Sequence, residues 1–187
     1  MTNAKRNTTF TLVTIALFTA LIAVGAFIKI PIPLIPFTLQ TFFVTLAGMM
    51  LGKKGGAVSA FLYMALGLIG LPIFTQGGGF SYVFKPTFGY IIGFIFGAFV
   101  TGLIVEKSKS RSYKVFLGAA FAGLFVLYIF GVTYFYIIMN LYLKTPTSVG
   151  YVLLYGFLVT IPGDTVMTFL GALIAKRLMP VVEKYRF

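Results

Sequence analysis

The least ordinary stretch of the sequence reads Thr75-Gln-Gly-Gly-Gly-Phe-Ser-Tyr-Val-Phe-Lys-Pro-Thr-Phe-Gly-Tyr90. It separates apolar segments that are long enough to be helices, so we predict a loop here. Three consecutive glycines permit backbone conformations that are closed to other residues. Five aromatic side chains supply flat apolar surface. We expect this loop and the distant Asp164 to form one small-molecule pocket, which the rest of the chain supports.

The composition is that of a membrane protein. Of the 187 residues, 59% are hydrophobic and only 10% are charged, and the mean hydropathy is +1.02. A soluble domain of this size could not cover so much apolar surface, so we predict a single integral membrane domain in contact with lipid. The chain has no Cys and no His, which excludes thiol nucleophiles, His bases and Cys or His metal sites. We expect no metal and no cofactor.

Six apolar segments are predicted to be transmembrane helices, and the fold class is therefore all-α. They cover residues 8–28, 37–51, 57–71, 87–105, 115–143 and 149–179, the last with a break at 162–163. The segment Pro31-Ile-Pro-Leu-Ile-Pro36 favours extended backbone, because proline lacks the amide donor and restricts the residue before it. We expect short extended or re-entrant loops on the outer side.

The basic residues indicate the orientation of the six spans. The net charge of +12 would suggest a nucleic-acid partner in a soluble protein, but here the basic residues stand between apolar runs. With a cytoplasmic N-terminus, twelve of the fifteen Lys and Arg residues fall on the inside and only Lys29, Lys85 and Lys144 on the outside. This asymmetry obeys the positive-inside rule. It predicts a multi-pass plasma-membrane protein with both termini in the cytoplasm and no nucleic-acid partner.

Asp164 is the one acid predicted to lie within the apolar part of the chain. A carboxylate at the centre of a bilayer costs about 2.5–3.5 kcal/mol on insertion scales. We interpret it as an acceptor for N–H groups of a ligand. The alternative is an N-cap of the half-helix that follows Pro162-Gly163, because Asp is a favoured capping residue.

The remaining candidate ligand-binding residues lie in or near the glycine-aromatic loop. Lys85 is either a counter-ion for a ligand carboxylate or a lysine that reaches the outer interface. The glycines permit close approach to a ligand or form a simple turn, and the aromatic residues stack on a ligand ring or form an interfacial belt. Gln40 either binds ligand or bonds a neighbouring helix. The set is Gln40, Gln76, Gly77, Gly78, Gly79, Phe80, Tyr82, Phe84, Lys85 and Tyr90.

The first predicted helix carries small residues on one face, at Ala16, Ala20 and Ala23. Such a face allows close helix approach, either to a partner protein or within the bundle. We find no nucleotide-binding motif in the chain. A transporter without one needs an ion gradient or a partner that hydrolyses ATP, and a partner ATPase is the more economical interpretation.

Five motifs in order resemble those of the BioY family, the biotin-specific substrate-capture (S) components of energy-coupling factor (ECF) transporters. The resemblance covers nearly the whole chain. The motifs are Pro33-Leu-Ile-Pro-Phe-Thr-Leu-Gln40, Leu46-Ala-Gly-Met-Met-Leu-Gly52, Gly67-Leu-Ile-Gly-Leu-Pro-Ile-Phe74, Pro86-Thr-Phe-Gly-Tyr90 and Ile161-Pro-Gly-Asp164.

The resemblance implies six membrane helices, capture of biotin from outside, and no covalent chemistry. It also implies association with a transmembrane coupling protein and two cytoplasmic ATP-binding subunits. Asp164 is then the acceptor for the ureido N–H groups, the glycine-rich loop closes over the ligand, and the face at Ala16 and Ala20 meets the coupling protein.

Two positions depart from the pattern that the resemblance implies. Many relatives carry Lys where this chain has Met167, and Gly where it has Lys85, so we expect Lys85 to supply the charge for the biotin carboxylate. The alternatives are an S component for another vitamin, a structural membrane subunit, and an intramembrane enzyme that uses Asp164. The last alternative is poorly supported, because the chain has no His and no Cys and no second acid is predicted near Asp164.

Overall fold

The structure, a computed structural model, describes residues 3–32 and 35–186, with side chains for 8–32 and 35–183. Pro33 and Leu34 of the proline-rich segment lie outside these ranges, as do the side chains of Lys5, Arg6, Lys184 and Arg186. The helices are α1 (Asn3–Phe27), α2 (Gln40–Leu68), α3 (Phe88–Lys107), α4 (Tyr113–Ile137), α5 (Val149–Leu153) and α6 (Ile161–Arg186). Two short strands, β1 (Lys29–Ile30) and β2 (Phe37–Thr38), pair antiparallel.

The helical, membrane-type architecture predicted from composition is confirmed. Four helical segments of the described chain are long and apolar enough to cross a membrane: Thr8–Phe27, Phe88–Lys107, Tyr113–Tyr142 and Val149–Glu183. The predicted count of six spans and the orientation of the termini remain predictions.

Helix α2 turns sharply at Gly52, which lies between the two short spans predicted at residues 37–51 and 57–71. Gly52 has φ 76° and ψ −176°, which lies outside the helical region and suits glycine. A Cβ on Gly56 would touch the backbone of Gly48, although a continuous helix would separate residues eight apart by about 12 Å. The two halves of α2 therefore pack side by side, and each is shorter than the roughly 20 residues of a perpendicular span.

The long connection between α2 and α3 folds back on the end of α2. The Phe74 ring lies directly on Gly67, where any side chain would collide with it. Gly79 donates its N–H to the Gly67 carbonyl at 2.7 Å. A 3-10 helix, Phe80–Phe84, then leads into α3. The glycine-aromatic stretch is thus an ordered cap on α2 that places Tyr82 in the core, 2% exposed.

The last span is interrupted slightly earlier than its sequence predicts. A π-helical turn at Leu154–Leu158 follows α5, and the helix restarts at Ile161. Pro162 stands in the first turn of α6, where its missing N–H costs no hydrogen bond. Proline therefore begins α6 rather than breaking it, and the irregular backbone is at Val159 and Thr160.

The core has two parts, and charged pairs mark one end of the bundle. One cluster, which includes Tyr63, Phe94 and Leu127, surrounds the cavity described below. The other, which includes Met49 and Phe116, fills the opposite half. Beyond that second cluster Lys53 pairs with Glu106 at 3.5 Å and Arg111 with Glu183 at 2.8 Å.

Candidate ligand-binding site

A cavity of about 540 Å³, counting its mouth, opens between the helices beside the β1–β2 hairpin and the capping loop. The part of this space that can hold the centre of a water molecule is about 50 Å³. Its apolar walls come from Ile35, Pro36, Phe37, Ile91, Phe94 and Leu127, and its polar groups from Thr38, Gln40, Thr41, Tyr63, Thr75, Tyr82, Thr87, Tyr90, Tyr128, Thr160 and Asp164.

Asp164 lies at the inner wall of the cavity and is only 5% exposed. The Tyr128 hydroxyl donates a hydrogen bond to its Oδ2, and the Thr160 hydroxyl lies 2.7 Å from the same tyrosine oxygen. The other carboxylate oxygen, Oδ1, is buried and forms no hydrogen bond of normal geometry among the described residues, although the Thr41 side chain lies near the carboxylate as a further donor. The protein therefore holds one oxygen firmly and satisfies the other less well.

The N-cap alternative for Asp164 is wrong. Its own N–H donates to the Thr160 carbonyl at 3.1 Å, which is the first bond of the α6 ladder. Thr160 therefore occupies the capping position, and the Asp164 carboxylate bonds Tyr128 instead of free amides of the helix. Because Asp is a favoured N-cap residue, the sequence alone was compatible with both a capping role and a cavity position for Asp164.

Gln40 begins α2 and lines the same cavity, with 3% of its surface exposed. Its Oε1 accepts from the Thr38 hydroxyl at 3.4 Å. Its Nε2 is buried without a hydrogen bond of normal geometry in the part of the chain with described side chains, although the Tyr63 hydroxyl lies near the amide. A buried amide donor of this kind costs about 1–3 kcal/mol if nothing pairs with it. Gln40 therefore lines the cavity with a poorly satisfied donor, and its ligand contact remains a prediction.

A second cluster of polar side chains lies under the capping loop, which is the connection between α2 and α3 (residues 69–87). The hydroxyls of Thr75 and Tyr82 lie 2.9 Å apart, and Thr87 donates to Tyr82 at 3.1 Å. All three residues line the cavity. They connect the loop, the 3-10 helix and the residue before α3, so the loop contributes hydroxyls to the cavity.

Tyr90 is the remaining predicted residue that lines the cavity. Its hydroxyl donates to the Gly156 carbonyl at 2.7 Å, and Gly156 belongs to the π-helical turn after α5. Because a π-turn leaves carbonyls unpaired along the helix, this bond satisfies one of them. Tyr90 therefore serves the structure as well as the cavity wall.

The other predicted loop residues lie near the cavity but do not line it. Gln76 is exposed and accepts a bond from Lys85 at 3.2 Å. Phe80 is 71% exposed, and Phe84 stacks on Tyr142 with ring centroids 4.6 Å apart. Gly77, Gly78 and Gly79 shape the loop against α2. Their predicted ligand contacts remain predictions.

The cavity also contains residues that sequence reasoning missed, chiefly Thr41, Tyr63, Tyr128 and Thr160. Among them, Tyr128 is 4% exposed in mid-helix. The sequence feature that could have identified Tyr128 is its position near the centre of an apolar span, where a hydroxyl group requires a hydrogen-bond partner.

The small-residue face of α1 is turned outward. Ala16 and Ala20 are exposed, whereas Ala23 packs partly against the core cluster around the cavity. Packing within the bundle therefore does not account for Ala16 and Ala20. Lipid or a partner protein is left to cover them.

We expect Tyr128→Phe to destabilise the ligand-free protein by about 1–3 kcal/mol, because a buried carboxylate oxygen loses its donor. A thermal unfolding curve in detergent should show a lower Tm. The matched control is Tyr136→Phe on the same helix, where the side chain is 41% exposed. Equal Tm values for the two variants would mean that the bond to Asp164 contributes nothing to stability.

These features define a helical membrane protein with a partly enclosed cavity that both apolar and polar side chains line. A family model described as the BioY family matches residues 1–184. A probable biotin transporter BioY from Lysinibacillus sphaericus is 47% identical over 182 residues, which are 97% of this chain and 93% of that protein. The chain belongs to the BioY family.

Further relatives agree over most of their length. The biotin transporter BioY of Thermotoga maritima is 42% identical over 171 residues, 89% of this chain and 94% of that protein. The crystal structure of the S-component for biotin from an ECF-type ABC transporter aligns with a TM-score of 0.81 at 32% identity. That alignment covers 95% of this chain and 94% of the other.

Proposed function

We propose that this chain is the S component of an ECF-type transporter and binds biotin in the cavity beside Asp164. Membership of the BioY family and the names of its relatives support the function. One observation supports the site. Among the described side chains, the cavity holds one buried acceptor, Asp164 Oδ1, and one buried donor, Gln40 Nε2, that form no hydrogen bond of normal geometry.

The two groups match the ureido ring of biotin, which offers N–H donors and a carbonyl acceptor. Asp164 accepts from a ureido N–H, and Gln40 donates to the ureido oxygen. Each unpaired buried polar group costs about 1–3 kcal/mol, so the ligand removes a penalty that the free protein carries. A ligand without such a urea leaves both groups unpaired, which makes the pair a source of specificity.

The walls suit the rest of the molecule. Phe37, Ile91, Phe94 and Leu127 provide apolar surface for the sulfur-containing ring and the aliphatic chain, at roughly 25 cal/mol per Å² of apolar area buried. No covalent step is needed. The prediction that the chain is not an enzyme agrees with a family whose named members are transporters.

Charge and exposure support the orientation and the partners. Lys29 and Lys85 lie beside the cavity mouth, whereas Lys53, Glu106, Arg111 and Glu183 form ion pairs at the opposite end. By the positive-inside rule the cavity opens outward from the plasma membrane. The exposed Ala16 and Ala20 then face the ECF coupling protein, whose two ATP-binding subunits drive uptake.

Binding of labelled biotin to the purified protein in a non-ionic detergent tests this function. We expect saturable binding that unlabelled biotin displaces, and that thiamin and riboflavin leave unchanged. If thiamin or riboflavin displaced the labelled biotin, the proposed substrate would have to be changed to that vitamin. Absence of saturable binding by any of the three would instead favour a structural membrane subunit.

A further inference from the structure

Two lysines flank one short segment at the mouth of the cavity. Lys29 in β1 donates from Nζ to the Thr75 carbonyl at 2.7 Å, and Lys85 donates to Gln76 Oε1 at 3.2 Å. Both side chains are exposed. Thr75 lines the cavity, so the Lys29 ammonium group is one hydrogen bond away from the wall. Lys29 is not among the residues that sequence reasoning selected as ligand-binding.

The strand pairing brings Lys29 to a second wall residue. Lys29 stands opposite Thr38 in the β1–β2 register, and Thr38 lines the cavity. Residues paired across strands have Cβ atoms about 4.5–5.5 Å apart. Lys29 is thus held against the cavity from both sides, by its own strand partner and by the capping loop.

Neither lysine is neutralised by the protein. The chain has three acidic residues, Glu106, Asp164 and Glu183. Glu106 and Glu183 form ion pairs at the other end, and Asp164 is buried against Tyr128. An ammonium group has three donors, and in the described part of the chain each of these two lysines donates to one acceptor, which is uncharged.

The cavity itself has no cation to meet an anionic ligand. None of its wall residues in the described chain is Lys or Arg. The ligand of the proposed function carries a carboxylate at the far end of its aliphatic chain from the ureido ring. With the ureido ring at Asp164, this anion must lie toward the mouth, because Asp164 would repel it and an unpaired buried charge is costly.

We propose that Lys29, together with Lys85, forms a cationic lip that binds the carboxylate of the ligand and determines specificity for an anionic tail. This inference rests on the proposed function. It extends the predicted role of Lys85 to a pair of lysines. In the loaded state each ammonium group adds a bond to the carboxylate, and Thr75 and Tyr82 hydroxyls lie nearby as neutral donors.

The competing interpretation is that Lys29 only tethers the capping loop through the Thr75 carbonyl. The two roles differ in how they treat a ligand with a neutral tail. A tether affects every ligand that the loop covers, whereas a carboxylate receptor affects only the anionic one. Ionic strength separates them further, because exposed charge pairs are screened by salt.

The test compares biotin with biotin methyl ester on purified Lys29→Gln, Lys85→Gln and the double variant. The matched control is Lys144→Gln, which removes the third predicted outer lysine; Lys144 is exposed and away from the cavity wall. We expect each single variant to bind biotin about 3- to 5-fold more weakly, as partly exposed charge pairs do. The double variant should lose about tenfold or more, and Lys29→Arg should bind nearly as well as the wild type.

Binding of the methyl ester should be unchanged in all variants, and the salt dependence of biotin binding should fall in the double variant. Equal weakening of biotin and its ester would overturn the proposal in favour of a tether. Unchanged biotin binding in the double variant would overturn it outright. Failure of the wild type to bind either ligand would instead remove the proposed function, so the two failures are distinguishable.

Discussion

Asp164→Asn is expected to weaken biotin binding roughly 10- to 150-fold while leaving the ligand-free protein folded. The lost interaction is a hydrogen bond to a charged acceptor, worth about 1.5–3 kcal/mol, and each 1.4 kcal/mol is a factor of ten in affinity. Asparagine has the same shape and still offers Tyr128 a polar partner. The change therefore removes the charge without opening a cavity.

Stability should change in the opposite direction from binding. In the free protein Asp164 Oδ1 is buried and forms no hydrogen bond of normal geometry with a described residue, and burial of a charge without an opposite charge beside it is unfavourable. We therefore expect an equal or higher Tm for Asp164→Asn in detergent without ligand. Equilibrium binding and thermal unfolding on the same preparation give both readouts.

Glu183→Gln is the matched control, because it also removes one carboxylate but lies at the opposite end, 2.8 Å from Arg111. It should bind biotin as tightly as the wild type. If Asp164→Asn instead lowered the Tm and the amount of folded protein, the carboxylate would be structural. Unaltered affinity in a folded Asp164→Asn protein would remove it from the site.

Asp164 could be predicted from the sequence because a lone acid in an apolar span is costly and therefore informative. Gln40 and Tyr82 could be predicted for a related reason, since they lie next to segments that break the helical pattern. In each case one local feature carried the signal. The structure adds that Asp164 and Gln40 line one cavity, which depends on the packing of α6 against the start of α2.

Tyr128 and Thr41 could not be predicted in the same way. Each lies within a long helix, and the sequence does not tell which face of an apolar span meets the cavity and which meets lipid. The apolar spans lack the one-sided pattern that identifies the buried face of a soluble helix. Tyr136 and Tyr128 share α4, yet one is 41% and the other 4% exposed.

The glycine-aromatic loop was predicted at the position where the structure has it, but its glycines have a role that differs in part from the predicted one. Its glycines were expected either to approach a ligand or to form a simple turn, and Gly78 and Gly79 contact the end of α2 and the residue Leu71 just beyond it. Gly78 lies where a Cβ would press into the Leu71 carbonyl, and Gly79 bonds to the Gly67 carbonyl. Contacts of this kind depend on where the chain folds back, which three glycines alone do not specify.

The capping loop holds its position through a backbone contact that has no room for a side chain. At Gly78 the neighbouring atoms are the Leu71 and Gly67 carbonyls, which cannot rotate away as a side chain could. Alanine there must push the loop off the end of α2. The same loop carries Phe74, which packs on Tyr63 and Tyr82 with ring centroids 5.4 and 4.5 Å away.

Gly78→Ala is therefore expected to weaken biotin binding roughly 5- to 150-fold, from an overpacking cost of about 1–3 kcal/mol. The loss should appear mainly as faster dissociation in a chase with unlabelled biotin, because a displaced loop no longer holds Thr75 and Tyr82 over the cavity. Gly118→Ala is the matched control, because that glycine lies within α4 and an added Cβ would have no atom within 4 Å apart from the neighbouring backbone of its own helix. Alanine also favours the helix. Equal rates of biotin dissociation from Gly78→Ala and from the wild type would show that the docked loop does not retain the ligand. A slower rate of biotin dissociation from Gly118→Ala alone would indicate that helix stability controls ligand release.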